Sequence, residues 1–472
     1  MPPCDPSLPA VSVALGDEDW ECKFSDVGEL EVENWPWKSL KRLGCLCSVE
    51  GMTVVNAPAL TSTRALRLAP SWPGDIVVTD APVLDDLEAF ADVTWAEEVT
   101  LRRVGLRDLR GLGSLGRLTG DLTIESAPRL ASLSGLAKGA WVYRVFVRDA
   151  PALVHVDWHL RAAAWITFEH VGLLDFRGME TMQELPDVSV LDAPDLHSLA
   201  GLPELGDVTV TLEEVPSLVT LDGIAAGVTH LWVSDAESLV DVAGASEAAA
   251  LSGLIVEGAP QLRSLVDLGK PGSPLRGVGV GDVPALGSLA GLDAVPGLQG
   301  LWVGGRTGFT DLTGLGDASR LRVVWLDDAS DMVSFAGAET ATTLDALYVT
   351  GRTPADLRGL DSLSYVADAR LETPSLVGLE NLAAVGVLDA WGAASAEGLE
   401  GLRAGEVTLK FSADPPLEDL SPLAGLREGW LWVGGDVTWA ACVALDAQLV
   451  QNGAALDFFS CQAVDGEHIF GY

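Results

Sequence analysis

The chain has 472 residues, with 68 acidic against 29 basic side chains and a formal net charge of −39. That charge excludes a nucleic-acid binder that works by neutralising phosphates, and it opposes docking on an anionic membrane surface. Hydrophobic residues make up 48% and charged residues only 21%, so the chain can bury a large core.

Residues 1–48 read as a cysteine-rich N-terminal cap, with Cys4, Cys22, Cys45 and Cys47 beside Trp20, Trp35 and Trp37. The next cysteine is Cys442, followed only by Cys461. An even number of cysteines clustered at the two ends predicts disulfides that clamp the termini. Cys442 is expected to pair with Cys461, and the four N-terminal cysteines among themselves. Their spacing does not resemble paired C-x2-C zinc knuckles. Disulfides imply an oxidising compartment, so the protein is expected to be secreted or on the outer cell surface. Met-Pro-Pro-Cys-Asp-Pro has no apolar h-region, and the chain is read as starting after a removed signal or anchor segment. No run of 18 uncharged apolar residues exists, so no transmembrane segment is expected. The Ala/Gly/Val/Arg bias hints at a high-GC bacterial source.

Residues 49–435 repeat themselves. DLTIESAPRLASLSGL (121–136) recurs as DVSVLDAPDLHSLAGL (187–202), GLIVEGAPQLRSLVDL (253–268) and GVGVGDVPALGSLAGL (277–292). Anchored on one inward apolar residue per copy, the series runs Val54, Val78, Leu101, Ile124, Val147, Phe168, Val190, Val210, Val233, Val256, Val280, Val303, Leu326, Val349, Val366, Leu388, Leu409 and Val433. This gives about 18 repeats of about 23 residues, with one short interval of 17 from Val349 to Val366. Each copy opens apolar-x-apolar, which predicts a short strand. A fixed Pro (Pro58, Pro82, Pro128, Pro151, Pro194, Pro260, Pro284) then ends it, because Pro cannot donate to a ladder. Leu-x-x-Leu-x-x-Leu follows, a spacing of three that suits turns and 3-10 segments. One unit cannot bury its own leucines, but stacked units can. The predicted fold is a repeat solenoid of short parallel β-strands with turn/3-10 connections, leucine-rich-repeat or β-helix-like, capped at both ends. Residues 436–472 form the C-terminal cap, with a helix over 438–452 that sets Trp439, Cys442, Val443, Leu445 and Leu449 on one face and stops at Gly453.

The period and leucine spacing resemble those of bacterial leucine-rich-repeat or receptor-L-domain-like solenoid proteins over roughly residues 50–435. The chain departs from the standard pattern by replacing its Asn/Cys ladder with an Asp-Ala-Pro turn. The resemblance implies binding or adhesion and names no ligand.

In a solenoid, equivalent positions stack into columns. The residue before each anchor should face outward. This column begins small and polar (Thr100, Thr123, Thr167, Ser189, Thr209) and turns aromatic at Trp232, Trp302, Trp325, Tyr348 and Tyr365, with Trp432 further on. The last four of those five are expected on consecutive rungs, ~4.8 Å apart, as a hydrophobic strip. Gly279, Gly281 and Gly304 beside Trp302 are expected to leave a ring face uncovered. Such a strip suits sugar rings or an extended peptide. The residue after each anchor alternates in sign over Arg102, Glu125, Arg148 and Glu169, a self-consistent exposed ladder. Two after the anchor lies an acidic column, Asp80, Asp149, Asp192, Asp235, Asp282, Asp328 and Asp368, interleaved with His170, Leu212, Gly258, Gly305, Gly351 and Ala390. Asp before a turn bonds the backbone two residues on; calcium is the rival reading, without either an EF-hand loop or a GGxGxDxUx repeat.

No G-x-S-x-G elbow, Walker loop or H-E-x-x-H occurs. His155 and His159 flank Asp157 but fall in the leucine half of a repeat, where packing or surface roles dominate. Together these features predict a non-enzymatic extracellular recognition or adhesion module that needs no cofactor and binds a glycan or extended peptide, or a protein, on its sheet face. The alternatives are a polysaccharide-active β-solenoid enzyme and a purely structural envelope protein.

Overall fold

A computed structural model turns the 23-residue period into stacked strands. The structure describes residues 11–13, 26–43, 46, 48–64, 66, 68, 74–266, 268–269, 273–351, 353–464, 466 and 468–471. It divides into two compact units, Met1–Ala236 with Glu247–Ala250, and Glu237–Ser246 with Leu251–Tyr472. Each unit is a solenoid of short parallel strands with turn and 3-10 connections.

In the first unit the inward residues pair rung to rung as Val54, Val78, Leu101, Ile124, Val147, Phe168 and Val190. All are fully buried. Val190 then faces Leu212 rather than the expected Val210, and Leu212 faces Val233. Val208, Val210 and Leu212 alternate within one strand, so three apolar residues offer the same pattern and the middle one is out of register by two.

In the second unit the column runs Val256, Val280, Val303, Leu326 and Val349. Next come Leu371 rather than Val366, and Ala390 rather than Leu388, before Leu409 and Val433. Ala390 for Leu388 is a slip of two, as at Val210, while the offset of five at Leu371 spans an extra residue in that strand and in its neighbour. Asp345 and Ala346 lie between buried Leu344 and Leu347, and Ala367 and Asp368 between buried Val366 and Ala369. Such a bulge shifts every later side chain by one place. The apparent 17-residue copy is therefore a strand of ordinary period read at its wrong end.

The turn that ends each strand has a backbone signature. The residue two after the inward anchor has positive φ at Asn56, Asp80, Arg103, Ser126, Asp149, His170, Asp192, Glu214, Asp235, Gly258, Asp282, Gly305, Asp328, Gly351 and Gly392. This left-handed conformation costs ordinary residues, and Gly, Asn and Asp enter it most cheaply. The acidic column is thus a conformational column, and register moves its expected members Leu212, Asp368 and Ala390 out of it. The Asp–Gly alternation has a steric cause. A Cβ on Gly305 would lie 2.4 Å from Asp282 Oδ1, and one on Gly351 would lie 1.9 Å from Asp328 Oδ1. Elsewhere a polar partner fills the gap: Arg103 pairs with Asp80, and His170 stands 3.9 Å from Asp149 and 2.7 Å from Asp192. Among the described residues no three His, Cys, Asp or Glu gather as a metal site.

After the turn a buried Ala returns the chain to the ladder. The N–H of Ala127 donates to the backbone carbonyl of Asp149 on the next rung at 3.1 Å, and Leu130 N–H donates back to the carbonyl of Ala127 at 3.0 Å. Leu84 bonds Ala81 and Leu153 bonds Ala150 in the same i to i−3 manner. These bonds set the leucine spacing of three and point Leu84, Leu130 and Leu153 into the core.

At the N-terminal side, Asp26–Glu33 pairs in parallel with Ser48–Val55, and Val11–Val13 pairs with Asp26–Glu33. Regular rungs therefore begin within the segment 1–48 expected to be only a cap. Trp35 is buried there, edge-on to Trp37 at 4.8 Å. Cys4, Cys22, Cys45 and Cys47 lie outside the described residues. At the other end, Thr438 caps the helix Trp439–Gln451 by accepting from Ala441 N–H. Cys442, Leu445 and Leu449 face inward, whereas Val443, expected beside them, is 45% exposed. Cys442 is disulfide-bonded to Cys461. No helix among the described residues is long and apolar enough to cross a membrane.

The steric origin of the Asp–Gly alternation is testable. Gly351→Ala should destabilise the protein by about 1–2 kcal/mol or more in chemical denaturation. Adding Asp328→Gly should recover part of the loss, since the carboxylate in the way is then gone.

Candidate functional site

The outward sheet face of the second unit carries the aromatic column. Trp302 is paired with Trp325, and Trp325 with Tyr348, on adjacent strands. The partner of Tyr348 on the following strand is Arg370. The strip is therefore three aromatic rungs closed by a guanidinium, where four aromatics were expected. Tyr365 is exposed but lies at the start of its strand, opposite Thr343 and Ala384. Val366, its expected anchor, pairs with Leu344, so Tyr365 lies five places before the aromatic column. Trp232 belongs to the first unit, where it is 49% exposed and pairs with Thr211 rather than Thr209.

The three rings are held differently. Trp302 is half-buried and lies over glycines. A Cβ on Gly279, Gly281 or Gly304 would come within 2.9, 2.6 and 2.6 Å of its indole. These glycines were expected to leave a ring face open; instead the ring occupies the room that they leave. Trp325 is 43% exposed and meets Tyr348 edge-on, with centroids 6.3 Å apart and planes at 89°. That T-shaped contact is a favoured aromatic geometry and fixes both rings. The Tyr348 hydroxyl donates to Asp368 Oδ2 at 2.7 Å. Arg370 lies 5.8 Å from the Tyr348 ring and 3.4 Å from Asp368 Oδ1. Asp368, moved by the bulge from the expected turn column onto the sheet face, thus joins the ring to the guanidinium. This hydrogen bond holds the Tyr348 phenol above its ordinary value, with burial and the carboxylate charge adding to it.

Sequence reading missed other exposed rings because only the positions next to the anchor were followed. Trp165, three before Phe168, meets Tyr143 edge-on at 5.6 Å, and Tyr143 lies 6.4 Å from Trp141. Extending the period-two pattern two residues toward the strand start would have found Trp165. Near the C-terminal end Trp430 stacks on Phe458 at 4.8 Å. In the first unit the expected charge ladder forms: Arg102 meets Glu125 at 2.9 Å and Arg148 meets Glu169 at 2.6 Å. Exposed pairs of this kind add about 0–1 kcal/mol each and mainly record the register.

Two other clusters invite a chemical reading. His155 bonds buried Asp175 at 3.0 Å while His159 bonds Trp158 O at 2.7 Å, so the two rings serve separate partners. An open depression of 620 Å³ is lined by Glu397, Glu400, Glu418 and Asp419. Ser421 N–H donates to Asp419 at 2.8 Å and holds that carboxyl below its ordinary value. A glycosidase acid needs the opposite shift, so Asp419 does not fit that role.

No family model matches the chain, and no curated protein does. Among solved structures it is similar to a TLR13–ssRNA13 complex, at 12% identity and a TM-score of 0.30, covering 88% of this chain and 66% of that one. It is also similar to a leucine-rich repeat protein from Bacteroides ovatus, at 12% identity and a TM-score of 0.18, covering 85% and 87%. The chain thus spans slightly under two thirds of the first structure's length. Neither superposition is close enough to transfer a ligand or a role.

The Tyr348–Asp368 bond has a spectroscopic consequence. A phenol whose folded pKa is raised contributes stability below its unfolded pKa of about 10 and loses it as pH rises through the folded value. Alkaline ultraviolet titration of the four tyrosines should show one step that moves down in Asp368→Asn and disappears in Tyr348→Phe.

Proposed function

We propose that the chain is a non-enzymatic recognition module that binds an extended ligand, glycan or peptide, on the outward sheet face of its second unit. The observation that carries this reading is the register of Trp302, Trp325 and Tyr348 on three adjacent strands, with Trp325 43% exposed. An immobilised, partly exposed indole beside a fixed phenol is a surface prepared for contact, because little rotamer freedom remains to be lost on binding. Covering such rings contributes about 1–3 kcal/mol each. The Cys442–Cys461 disulfide supports work in an oxidising compartment, secreted or on the outer cell surface. The strip favours recognition over a purely structural role.

Screening on glycan and peptide arrays tests this. Trp325→Ala should unfold at nearly the wild-type midpoint and lose the captured ligand. Trp302→Ala should also lower stability, because its ring covers glycine backbone. A Trp325→Ala protein that captures ligands as the wild type does would overturn the assignment.

A further inference from the structure

The second unit's aromatic strip sits among carboxylates, and the chain itself shows what that combination holds. Arg370 is placed with its guanidinium 5.8 Å from the Tyr348 ring and 3.4 Å from Asp368, and Asp368 is tied to the Tyr348 hydroxyl. Ring and carboxylate together make a seat for a cation, and this one is filled from within. One strand earlier an aromatic ring and a carboxylate again share the face, here along a single strand. Trp325 is followed two residues on by Asp327 on the same face, whose Oδ1 is oriented by the Thr350 hydroxyl at 2.7 Å. Among the described residues no guanidinium or ammonium lies over Trp325. Its edge-on contact with Tyr348 also leaves indole surface open to solvent.

The charge of the face agrees. Arg370 pairs in register with Asp389, the strands from Trp325 to Ala404–Phe411 also carry Asp327, Asp368 and Glu406 besides Lys410, and the whole chain carries −39. Indole is the strongest of the natural aromatic cation acceptors, and a nearby carboxylate adds Coulomb attraction. A neutral sugar would stack on Trp325 and donate a hydroxyl to Asp327, but would leave the charge of the face unbalanced. An acidic ligand would be repelled.

We propose that the strip recognises an extended basic peptide, with an arginine or lysine side chain seated on Trp325 against Asp327. This rests on the sheet-face reading given above and adds the chemistry of the ligand. The contact parallels the internal seat of Arg370, so the ligand's cation extends a row that the protein has already begun.

The test is calorimetric titration of the full chain at physiological salt with three probes: a decapeptide alternating Arg and Thr, its Glu–Thr counterpart, and cellohexaose. The Arg–Thr peptide should bind and the other two should not. Trp325→Ala and Asp327→Asn should each weaken binding about tenfold, and Trp325→Phe should retain part of it. Glu397→Gln with Glu400→Gln, which removes two charges from the acidic depression, should change binding less than about twofold. If that control weakens binding as much as Asp327→Asn, the attraction is only the net charge and the proposal falls. If cellohexaose or the acidic peptide binds instead and Trp325→Ala abolishes it, the basic-peptide assignment falls while the sheet-face reading stands. If the Arg–Thr peptide binds regardless of Trp325 and Asp327, both fall.

Discussion

Most rungs of this protein leave their strand within a single residue, through a backbone with positive φ. That requirement explains a column that looks chemical and is conformational. Asp80, Asp149, Asp192, Asp235, Asp282 and Asp328 are there because Asp tolerates the left-handed region, as are Asn56 and the glycines that share the column. Once the turn is made, the following Ala rejoins the ladder and the leucines fall into the core at intervals of three. Strand, turn and core are thus linked through one dihedral angle, repeated along each unit. The acidic composition follows partly from the same cause.

The period, the inward anchors and the capped C-terminal helix were legible because each is a local pattern: alternation in the strand, Pro after the turn, Thr438 ahead of the helix. Register was less legible wherever a strand holds more apolar residues than the pattern needs. Val210 has two equally good neighbours in Val208 and Leu212, and Leu388 outranks Ala390 in size although Ala390 occupies the inward column. The bulges at Asp345–Ala346 and Ala367–Asp368 leave no mark in composition. They are recognised only when the next strand is laid alongside, because the adjacent rung decides which of two apolar residues is inward.

The site inherits those limits. Trp302, Trp325 and Tyr348 were placed correctly because no bulge intervenes between their anchors. Tyr365 was misplaced, and Arg370 and Asp368 were missed as partners of Tyr348, because Val366 rather than Leu371 was read as the inward residue of that strand. The glycines around Trp302 were legible as a cluster and not in their effect. A missing Cβ can open space to solvent or admit a neighbouring ring, and only the direction of the Trp302 side chain distinguishes the two.

That ring couples four positions on two adjacent strands. Gly279 and Gly281 on one strand and Gly304 beside Trp302 on the next cannot gain a side chain while the indole rests on them. Removing the indole releases all three at once. Variation at this place is therefore conditional on history: a lineage that first loses the tryptophan is free to decorate the sheet with serine or threonine. Once it has done so, the ring cannot return by a single substitution. Two related chains could then differ at all four residues and at none alone, so that the whole group would appear and disappear as one inherited character.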